Sequence, residues 1–441
     1  MTTSSTPNLG IDWDDVTAEI VSVLRDYLRI DTTNPPGNEQ VAAEFLANLL
    51  EHEGYETEYV EAGPGRVSMR TRLIGTGEQR PLMLLNHTDV VPAQPEFWAV
   101  DPFAAEQRDG ELWGRGALDM KGMGVLELLV MLLFKRHGLI PNRDIVFLAV
   151  ADEEAGSAFG MEWLDQHERD WITEPEYALN EGGMGALNFL GSSRPVFACS
   201  PAEKSPLWLK LRSEGQPGHG STPHGDNAVD RLIRALYAIQ QWERAVTVQP
   251  TTTEALERMR AANAWGGVAP NIMRLCQTYP AFAAVTRDTI SNTGATSGFK
   301  HNVIPADAEA TLDCRLLPGE SHETFIRAMR DVIDDDKVSV EVVFGSESPS
   351  SSFETELVSV VEDVVREQVE GALVVPSTCV GFTDSRVLRR HGVHAYGFVP
   401  TLMDAALASG VHGHNERVPI EGLKTGIQVL FEVVRRFTAA A

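Results

Sequence analysis

Helix-like and strand-like patterns of apolar residues alternate along the first half of the chain. Apolar residues recur at helical spacing over Val16–Ile30, Val41–His52 and Met120–His137, which predicts three helices. Three short apolar runs have the composition of buried parallel strands: Leu82–Asn86, Ile145–Ala151 and Tyr177–Asn180. This succession predicts an α/β/α sandwich built on a mostly parallel sheet.

The pattern changes near Pro201. Apolar and polar residues alternate over Leu207–Arg212, as they do in a half-exposed antiparallel strand. We expect next a helix over Ala228–Val246 and a strand over Ala308–Leu316. A helix over His322–Ile333 and a strand over Val338–Phe344 follow. We therefore expect a smaller α+β domain over residues 204–344, inserted into a discontinuous α/β domain of residues 1–203 and 345–441. Helices expected over Glu354–Gln368 and Leu423–Phe437 complete the larger domain.

The composition fits a folded protein with two domains. A chain of 441 residues is too long for one ordinary core, and 43% of its residues are hydrophobic. The longest apolar run, Val125–Phe134, is too short to cross a bilayer and contains Glu127. A formal net charge of -26 counts against nucleic-acid binding, because such a chain repels a phosphate backbone. We expect neither nucleic acid nor a membrane as a partner.

Cysteine usage and the N-terminal segment indicate a reducing compartment. The four cysteines include no Cys-x-x-Cys pair, which counts against a thiolate zinc site. The segment Met1–Gly10 is polar and lacks the basic start and apolar stretch of a signal peptide, so we expect a frayed tail. We expect a cytoplasmic protein in which any metal is held by histidines and carboxylates.

Polar side chains with metal-binding chemistry follow the first predicted strand and begin the long predicted helix. His87 and Asp89 come directly after Leu82–Asn86; His87 can bind zinc while Asp89 holds its other ring nitrogen. By itself such a pair is more often a surface turn. Asp119 opens the long helix, where a metal ligand and an ordinary helix cap fit the local pattern equally well.

Two further strand ends carry carboxylates. Glu153 and Glu154 follow Ile145–Ala151, and adjacent carboxylates repel each other unless they are solvated or neutralised by a cation. A solvated acidic turn explains that pair in isolation as well as a metal site does. Glu181 follows a third strand, and a His-Gly-His sequence precedes the last helix. Together these groups provide ligands for two metals that share a carboxylate, with one Glu left as a general base.

Eight motifs make the chain similar to the co-catalytic zinc exopeptidases and deacylases, the family of aminoacylase, acetylornithine deacetylase, succinyl-diaminopimelate desuccinylase, carboxypeptidase G and dipeptidases. In order they are His-Thr-Asp-Val-Val-Pro, Gly-Arg-Gly-Ala-x-Asp-Met-Lys-Gly, Asp-Glu-Glu-x-Gly, Asn-Glu-Gly, Gly-His-Gly-Ser-x-Pro, Asn-Val-Ile-Pro, Asp-x-Arg and His-Gly-His-Asn-Glu-Arg. The resemblance covers nearly the whole chain. It implies a zinc-exopeptidase-like α/β/α catalytic domain with an inserted α+β lid and dimerisation domain.

The resemblance implies a role for each matched residue. The implied ligands of two zinc ions per subunit are Asp119 as the bridge, His87 and Glu181 at one ion, and Glu154 and His412 at the other. Cobalt and manganese are the alternative metals. The resemblance also implies a cis peptide bond after the bridging residue, Glu153 as the general base, and Asp89 as the residue that orients His87. We choose His412 over His414 because family members place this ligand four residues before the Glu of Asn-Glu-Arg.

The inserted domain carries a further set of matched residues. His219 matches a histidine that holds the scissile carbonyl, often in the active site of a partner subunit. Asn302 and Arg315 match residues that grip the substrate, and the guanidinium of Arg315 suits a carboxylate. The segment Gln249–Lys300 is longer than in compact members. It either enlarges the lid pocket for a bulkier acyl group or alters a dimer contact.

The resemblance implies a hydrolase that cleaves the amide bond of N-acyl amino acids or short peptides with a free carboxylate. The chain lacks the Gly-x-Ser-x-Gly of serine hydrolases and the Gly-rich phosphate-binding motifs of nucleotide-binding proteins. The alternative from another class is a non-catalytic metal-binding relative that acts as a binding protein. Such a relative would have lost Glu153 or a ligand, and this sequence keeps all of them.

Overall fold

The structure is a computed structural model that describes residues 9–439, so residues 1–8 of the expected N-terminal tail lie outside it. Its strands, in chain order, are β1 (Thr57–Gly63), β2 (Arg66–Leu73), β3 (Gln79–His87), β4 (Glu106–Arg108), β5 (Glu111–Trp113), β6 (Arg143–Val150), β7 (Tyr177–Leu187), β8 (Val196–Glu203), β9 (Ser205–Glu214), β10 (Gly218–His219), β11 (Thr289–Ser297), β12 (Val303–Ile304), β13 (Asp307–Leu316), β14 (Val338–Gly345), β15 (Leu373–Cys379), β16 (His394–Asp404) and β17 (Arg417–Pro419).

Helices separate most of these strands. In chain order they are α1 (Trp13–Leu28), α2 (Glu39–His52), α3 (Lys121–Arg136), α4 (Met161–His167), α5 (Asp170–Thr173), α6 (Ala228–Gln241), α7 (Pro250–Ala261), α8 (Ile272–Thr278), α9 (Pro280–Ala284), α10 (His322–Ile333), α11 (Glu356–Gln368), α12 (Ser385–Arg390), α13 (Ala405–Ala408) and α14 (Ile420–Phe437). Within residues 9–439, no helix combines the length and the apolar character that crossing a membrane requires.

The larger sheet has eight strands in the order β1-β2-β6-β3-β7-β16-β8-β15. Its centre is parallel: β3 pairs with β6 and β7, and β16 pairs with β7 in the same direction. The antiparallel pairs β1–β2 and β2–β6 form one edge. The α/β fold and mostly parallel centre predicted from the sequence are confirmed.

Helices cover both faces of this sheet. One face packs against α1, α2, α3, α11 and α14, and the other against α4, α5 and α12. Every residue of α3 from Lys121 to Phe134 is buried, which explains why its sequence is apolar on all sides. Fully burying one such leucine stabilises the fold by roughly 1.5–3 kcal/mol. The ends of the central strands are therefore held on a rigid layer.

A second sheet has four antiparallel strands in the order β11-β13-β9-β14. Alternate residues of β9, Leu207, Leu209 and Leu211, are buried against α6 and α10, which cover one face. This sheet has a hydrophobic cluster of its own, which supports the predicted inserted domain. The helix expected to reach Val246 ends at Gln241, and the next residue, Trp242, packs its ring 5.6 Å from that of Phe325.

The long segment Gln249–Lys300 packs in part against the larger sheet and in part, through β11, in the smaller one. Ala255 and Met259 of α7 are buried with Val196 of β8 and Val375 of β15. These contacts place α7 against the β15 edge of the eight-stranded sheet. Part of the segment between residues 249 and 300 therefore covers the face of β8 and β15 opposite to the one that Phe197 and Val374 present to the main core.

Candidate functional site

The candidate metal-binding residues gather at the C-terminal ends of the central strands. His87 is the last residue of β3, and Glu153 and Glu154 lie in the turn that follows β6. Glu181 lies within β7, two residues after Leu179, where the pairing of β7 with β3 ends. The sequence placed Glu181 at the end of its strand, but β7 continues to Leu187 along β16. Ligands commonly bind at this edge of an open α/β sheet.

Asp119 lies between the two histidines. Its Oδ1 is 3.0 Å from His87 Nε2, and its Oδ2 is 3.0 Å from His412 Nε2. Glu181 Oε1 is 3.7 Å from the same nitrogen of His87, and Glu154 Oε2 is 3.1 Å from that of His412. The carboxylate of Asp119 is thus within reach of both histidines, and a carboxylate in such a position can be shared by two metals.

The loop of Asp119 is held by a buried glutamate near the C-terminus. Glu416 Oε1 accepts hydrogen bonds from the main-chain N–H groups of Leu118 at 2.7 Å and Asp119 at 3.2 Å. Its Oε2 pairs with Arg115 at 2.6 Å. The peptide bond after Asp119 is cis, as the resemblance implied. Glu416 lies in the last of the eight motifs, but its role in holding the loop was not predicted from the sequence.

Asp89 supports both His87 and the acidic turn. The ring Nδ1 of His87 is 3.0 Å from the main-chain carbonyl oxygen of Asp89 and 3.4 Å from its carboxylate. That carboxylate accepts hydrogen bonds from the main-chain N–H groups of Glu153 and Glu154, both at 3.1 Å, and from Asn34 at 2.8 Å. Asp89 is therefore placed to orient His87 and also fixes the backbone of the turn.

The two histidines near the C-terminus have different surroundings. His412, whose side chain is 52% exposed, contacts Asp119 and Glu154. The ring of His414 instead packs against Phe97, with 5.1 Å between ring centroids. The geometry thus favours His412 as the ligand.

The residues of the cluster fit a divalent metal centre. Nitrogen and oxygen atoms of His87, Asp119 and Glu154 lie within 4.8 Å of one another, and so do those of His87, Glu153 and Glu181. Among the residues described, Glu153 Oε1 and Glu154 Oε1 are buried without a hydrogen-bond partner. A buried carboxylate oxygen is costly unless a donor or a cation compensates it. Histidine and carboxylate are ligands that zinc accepts.

The protonation equilibria of the cluster follow from burial and from close charges. Burial raises the pKa of Glu153 and of Glu181 well above the usual range, and repulsion by Asp119 adds to this for Glu181. Burial and repulsion by Asp119 raise the pKa of Glu154 to about 7. Hydrogen bonds to Asp119 and Glu154 raise the pKa of His412 to about 10. Glu154, Glu181 and His412 would lose these protons when a dication binds, since metal ligands bind in their deprotonated forms.

Two of the matched residues in the inserted domain lie together. His219 on β10 pairs with Val303 of β12, and the main-chain carbonyl of Asn302 accepts a hydrogen bond from Gly220 at 2.9 Å. The exposed ring of His219 lies 2.8 Å from the hydroxyl of Ser221. Within residues 9–439, no hydrogen bond or ion pair joins His219 to the carboxylates of the cluster.

Arg315 lies where the two sheets meet. It forms two hydrogen bonds with Asp313, at 2.7 and 3.1 Å, and its guanidinium is 4.9 Å from the ring centroid of Phe382. Its Nη1 is buried without a partner among the described residues. The ring of Phe382 also lies near Trp208 of β9 and Phe344 of β14. Arg315 thus retains a donor for a substrate carboxylate, beside an aromatic contact between the sheets.

Sequence comparisons connect the chain to amide hydrolases. A model of peptidase family M20/M25/M40 matches residues 83–436. N-fatty-acyl-amino acid synthase/hydrolase PM20D1 of Xenopus tropicalis is 29% identical over 377 residues, which cover 80% of this chain and 72% of that protein. Aminoacylase-1 of Sus scrofa is 28% identical over 426 residues, which cover 94% of each chain.

Solved structures share the fold. The M20 family metallo-carboxypeptidase Sso-CP2 from Sulfolobus solfataricus has a TM-score of 0.75 at 17% identity and covers 95% of this chain and 99% of its own. Human carnosine dipeptidase 1 has a TM-score of 0.70 at 18% identity and covers 97% of each. These likenesses confirm the fold expected from the sequence motifs.

Proposed function

Because the chain belongs to peptidase family M20/M25/M40 and is a metal-dependent amide hydrolase, we propose that it uses two zinc ions to cleave N-acyl amino acids. The observation that carries the proposal is the position of Asp119, 3.0 Å from a nitrogen of each of His87 and His412. In this proposal Asp119 would be shared by both ions, His87 and Glu181 would hold one of them, and Glu154 and His412 would hold the other. Cobalt or manganese can take the place of zinc, because the same ligand types bind these metals.

Bound metal supplies a Lewis acid and lowers the pKa of water at the site. The chain supplies the proton transfers. Glu153 takes a proton from the attacking water at its unpartnered Oε1 and delivers it to the nitrogen of the leaving amine. Asp89 fixes the backbone of Glu153 through a hydrogen bond of 3.1 Å, which limits the positions that the carboxylate can take.

The inserted domain recognises the substrate in this proposal. Arg315 binds the free carboxylate through its unpartnered Nη1, with Asn302 as a second contact. His219 stabilises the negative charge that develops on the carbonyl oxygen. An acyl amino acid is favoured over a peptide because aminoacylase-1 and the N-fatty-acyl-amino acid synthase/hydrolase are among the relatives that match most of the chain.

An amine-release screen tests the function. The purified chain is loaded with zinc or cobalt and incubated with N-acetyl amino acids, N-long-chain-acyl amino acids and dipeptides. We expect amine release from N-acyl amino acids that a chelator removes and added zinc restores. The control compounds are the same N-acyl amino acids with the free carboxylate blocked as an amide. They should release little amine. A chain that holds two metals and releases no amine from any substrate would support the alternative, a binding protein.

We also propose a cytoplasmic homodimer in which the lid supplies His219 to the partner subunit. The four cysteines are free, as in a reducing compartment. Strands β11 and β14 form the edges of the four-stranded sheet, and Val342 and Val343 on β14 are 55% and 61% exposed. Exposed apolar residues on an edge strand favour pairing with a second chain.

Mixing two inactive variants tests the exchange of His219. Equal amounts of His219→Ala and Glu153→Gln subunits should regain about a quarter of wild-type activity, since half of randomly mixed dimers are hybrids and each hybrid has one intact site. Size measurement and isotope-labelled subunits verify dimerisation and exchange. If the subunits exchange and the mixture stays inactive, His219 does not act across subunits. A monomeric wild type would lead to the same conclusion.

A further inference from the structure

The turn that carries Glu153 has a backbone that needs outside support. Asp152 and Ser157 have φ angles of 67° and 66°, in the left-handed region that residues with a side chain seldom adopt. The main-chain N–H of Ser157 donates to the carbonyl of Asp152 at 2.6 Å and closes the turn. Such a backbone conformation persists only when several surrounding contacts hold it in place.

A buried aspartate outside the eight motifs provides one of these contacts. Asp384 is 1% exposed, and its Oδ1 accepts a hydrogen bond of 2.5 Å from the hydroxyl of Ser157, 227 residues earlier in the chain. Its Oδ2 is buried without a partner among the described residues. The proposed reaction assigns no role to this carboxylate.

Arg386, two residues further on, holds the same turn. It is fully buried, and its Nη2 donates to the main-chain carbonyl of Gly156 at 3.2 Å and to the hydroxyl of Ser157 at 3.3 Å. Its Nη1 donates to the carbonyl of Thr383 at 2.8 Å, and its Nε donates to Ser346 at 3.2 Å. The planar guanidinium donates in fixed directions, so it connects the turn to the segments of Thr383 and Ser346.

Together these contacts hold the turn from two sides. Asp89 binds the main-chain N–H groups of Glu153 and Glu154, while Asp384 and Arg386 bind the far end at Gly156 and Ser157. Nothing in this support touches Glu153 Oε1, which stays without a partner among residues 9–439. The side chain of Glu153 is thus left for chemistry while its backbone is fixed.

We propose that Asp384 and Arg386 are positioning residues that set the direction of the Glu153 carboxylate by holding the turn from Asp152 to Ser157. They act through the backbone and do not contact the substrate. A small displacement of a general base costs activity steeply, since a shift of about 1 Å can cost about 100-fold in rate. The inference rests on the proposed function only for its kinetic readout.

Ser157→Ala tests this role with the smallest change, because it removes only the hydroxyl that Asp384 and Arg386 hold. At saturating zinc we expect kcat to fall about tenfold or more while KM stays within about twofold. Hydrogen–deuterium exchange of peptides covering residues 150–160 should become faster without substrate. Asp384→Ala, which removes the acceptor of the Ser157 hydroxyl, should produce the same pattern. Zinc content is measured for each variant, because Glu154 lies on the same turn.

Ser213→Ala is the matched control. Ser213 is also buried, and its hydroxyl donates to main-chain carbonyls of Ala228 and Ala308, away from the turn. This variant should lower the Tm without changing kcat or the exchange of residues 150–160. If Ser157→Ala keeps wild-type kcat and turn exchange, the inference is wrong. If the wild type hydrolyses no amide, the proposed function fails, and the exchange experiment still decides the positioning role.

Discussion

Glu153→Gln should lower kcat by about 100-fold to 10,000-fold, the contribution of a well-placed general base, and leave the metal content nearly unchanged. The carboxylate is buried, its backbone is held by Asp89, and its Oε1 has no hydrogen-bond partner among the residues described. Glutamine has the same shape and cannot take the proton. Turnover under saturating substrate and zinc content by atomic emission measure the two effects.

Glu154→Gln is the natural comparison, because it makes the same chemical change one residue along the turn. Its side chain lies 3.1 Å from His412, and we expect loss of one metal ion per subunit with a lower affinity for added zinc. Near-normal turnover in Glu153→Gln would refute the assignment of the base. If Glu153→Gln loses a metal ion while Glu154→Gln keeps both, then Glu153 is the metal ligand and Glu154 is the general base.

Asp119→Asn should weaken the binding of both metals and reduce activity to background. The carboxylate is the group that both halves of the cluster share, and an amide lacks the second anionic oxygen that a bridge needs. Removing a residue that only hydrogen-bonds to a metal ligand lowers metal affinity by about 10-fold to 100-fold. Removing the ligand that both metals share should therefore lower it further. Zinc titration by calorimetry measures the affinity of each site.

An aspartate away from the site controls for the change of charge. Asp109 is 81% exposed in the turn between β4 and β5, so Asp109→Asn should bind zinc and turn over substrate like the wild type. Circular dichroism verifies that Asp119→Asn still folds. A folded Asp119→Asn protein that binds two zinc ions with unchanged affinity would exclude the bridging role.

The sequence predicted some of the elements with a simple hydrophobic pattern, although the largely buried strands β8 and β16 were missed. Strands β3 and β6 and helix α3 are buried on all sides, so they appear as apolar runs with clear ends. Strand β1 was missed because its residues are exposed or half-buried at the sheet edge and show no apolar run. The helices α7 to α9 were missed. Helices α8 and α9 have only seven and five residues, too few to show a helical period, and the three helices pack on β15 or on one another.

The candidate site likewise contains residues that the sequence predicted and contacts that it did not. Groups such as His87 and Asp119 could be selected from the sequence because each stands beside a recognisable element and inside a motif. Asp89 was selected as the residue that orients His87, but other supporting contacts could not be predicted, because they join residues far apart in the chain: Glu416 lies 298 residues from Leu118, whose main-chain N–H donates to its carboxylate. Such pairs are set by the tertiary fold: the Asn-Glu-Arg motif marks Glu416, but nothing in the local sequence shows that its carboxylate binds Leu118.

A crystal structure of the zinc-loaded protein, with anomalous data at the zinc edge, tests the central claim most directly. We predict two anomalous peaks about 3.5 Å apart, as in other two-metal sites. One oxygen of Asp119 should lie about 2.0–2.2 Å from each peak, with His87 and Glu181 at one metal and Glu154 and His412 at the other. A metal-loaded structure in which Asp119 touches no metal, or touches only one, would contradict a bridged two-metal hydrolase.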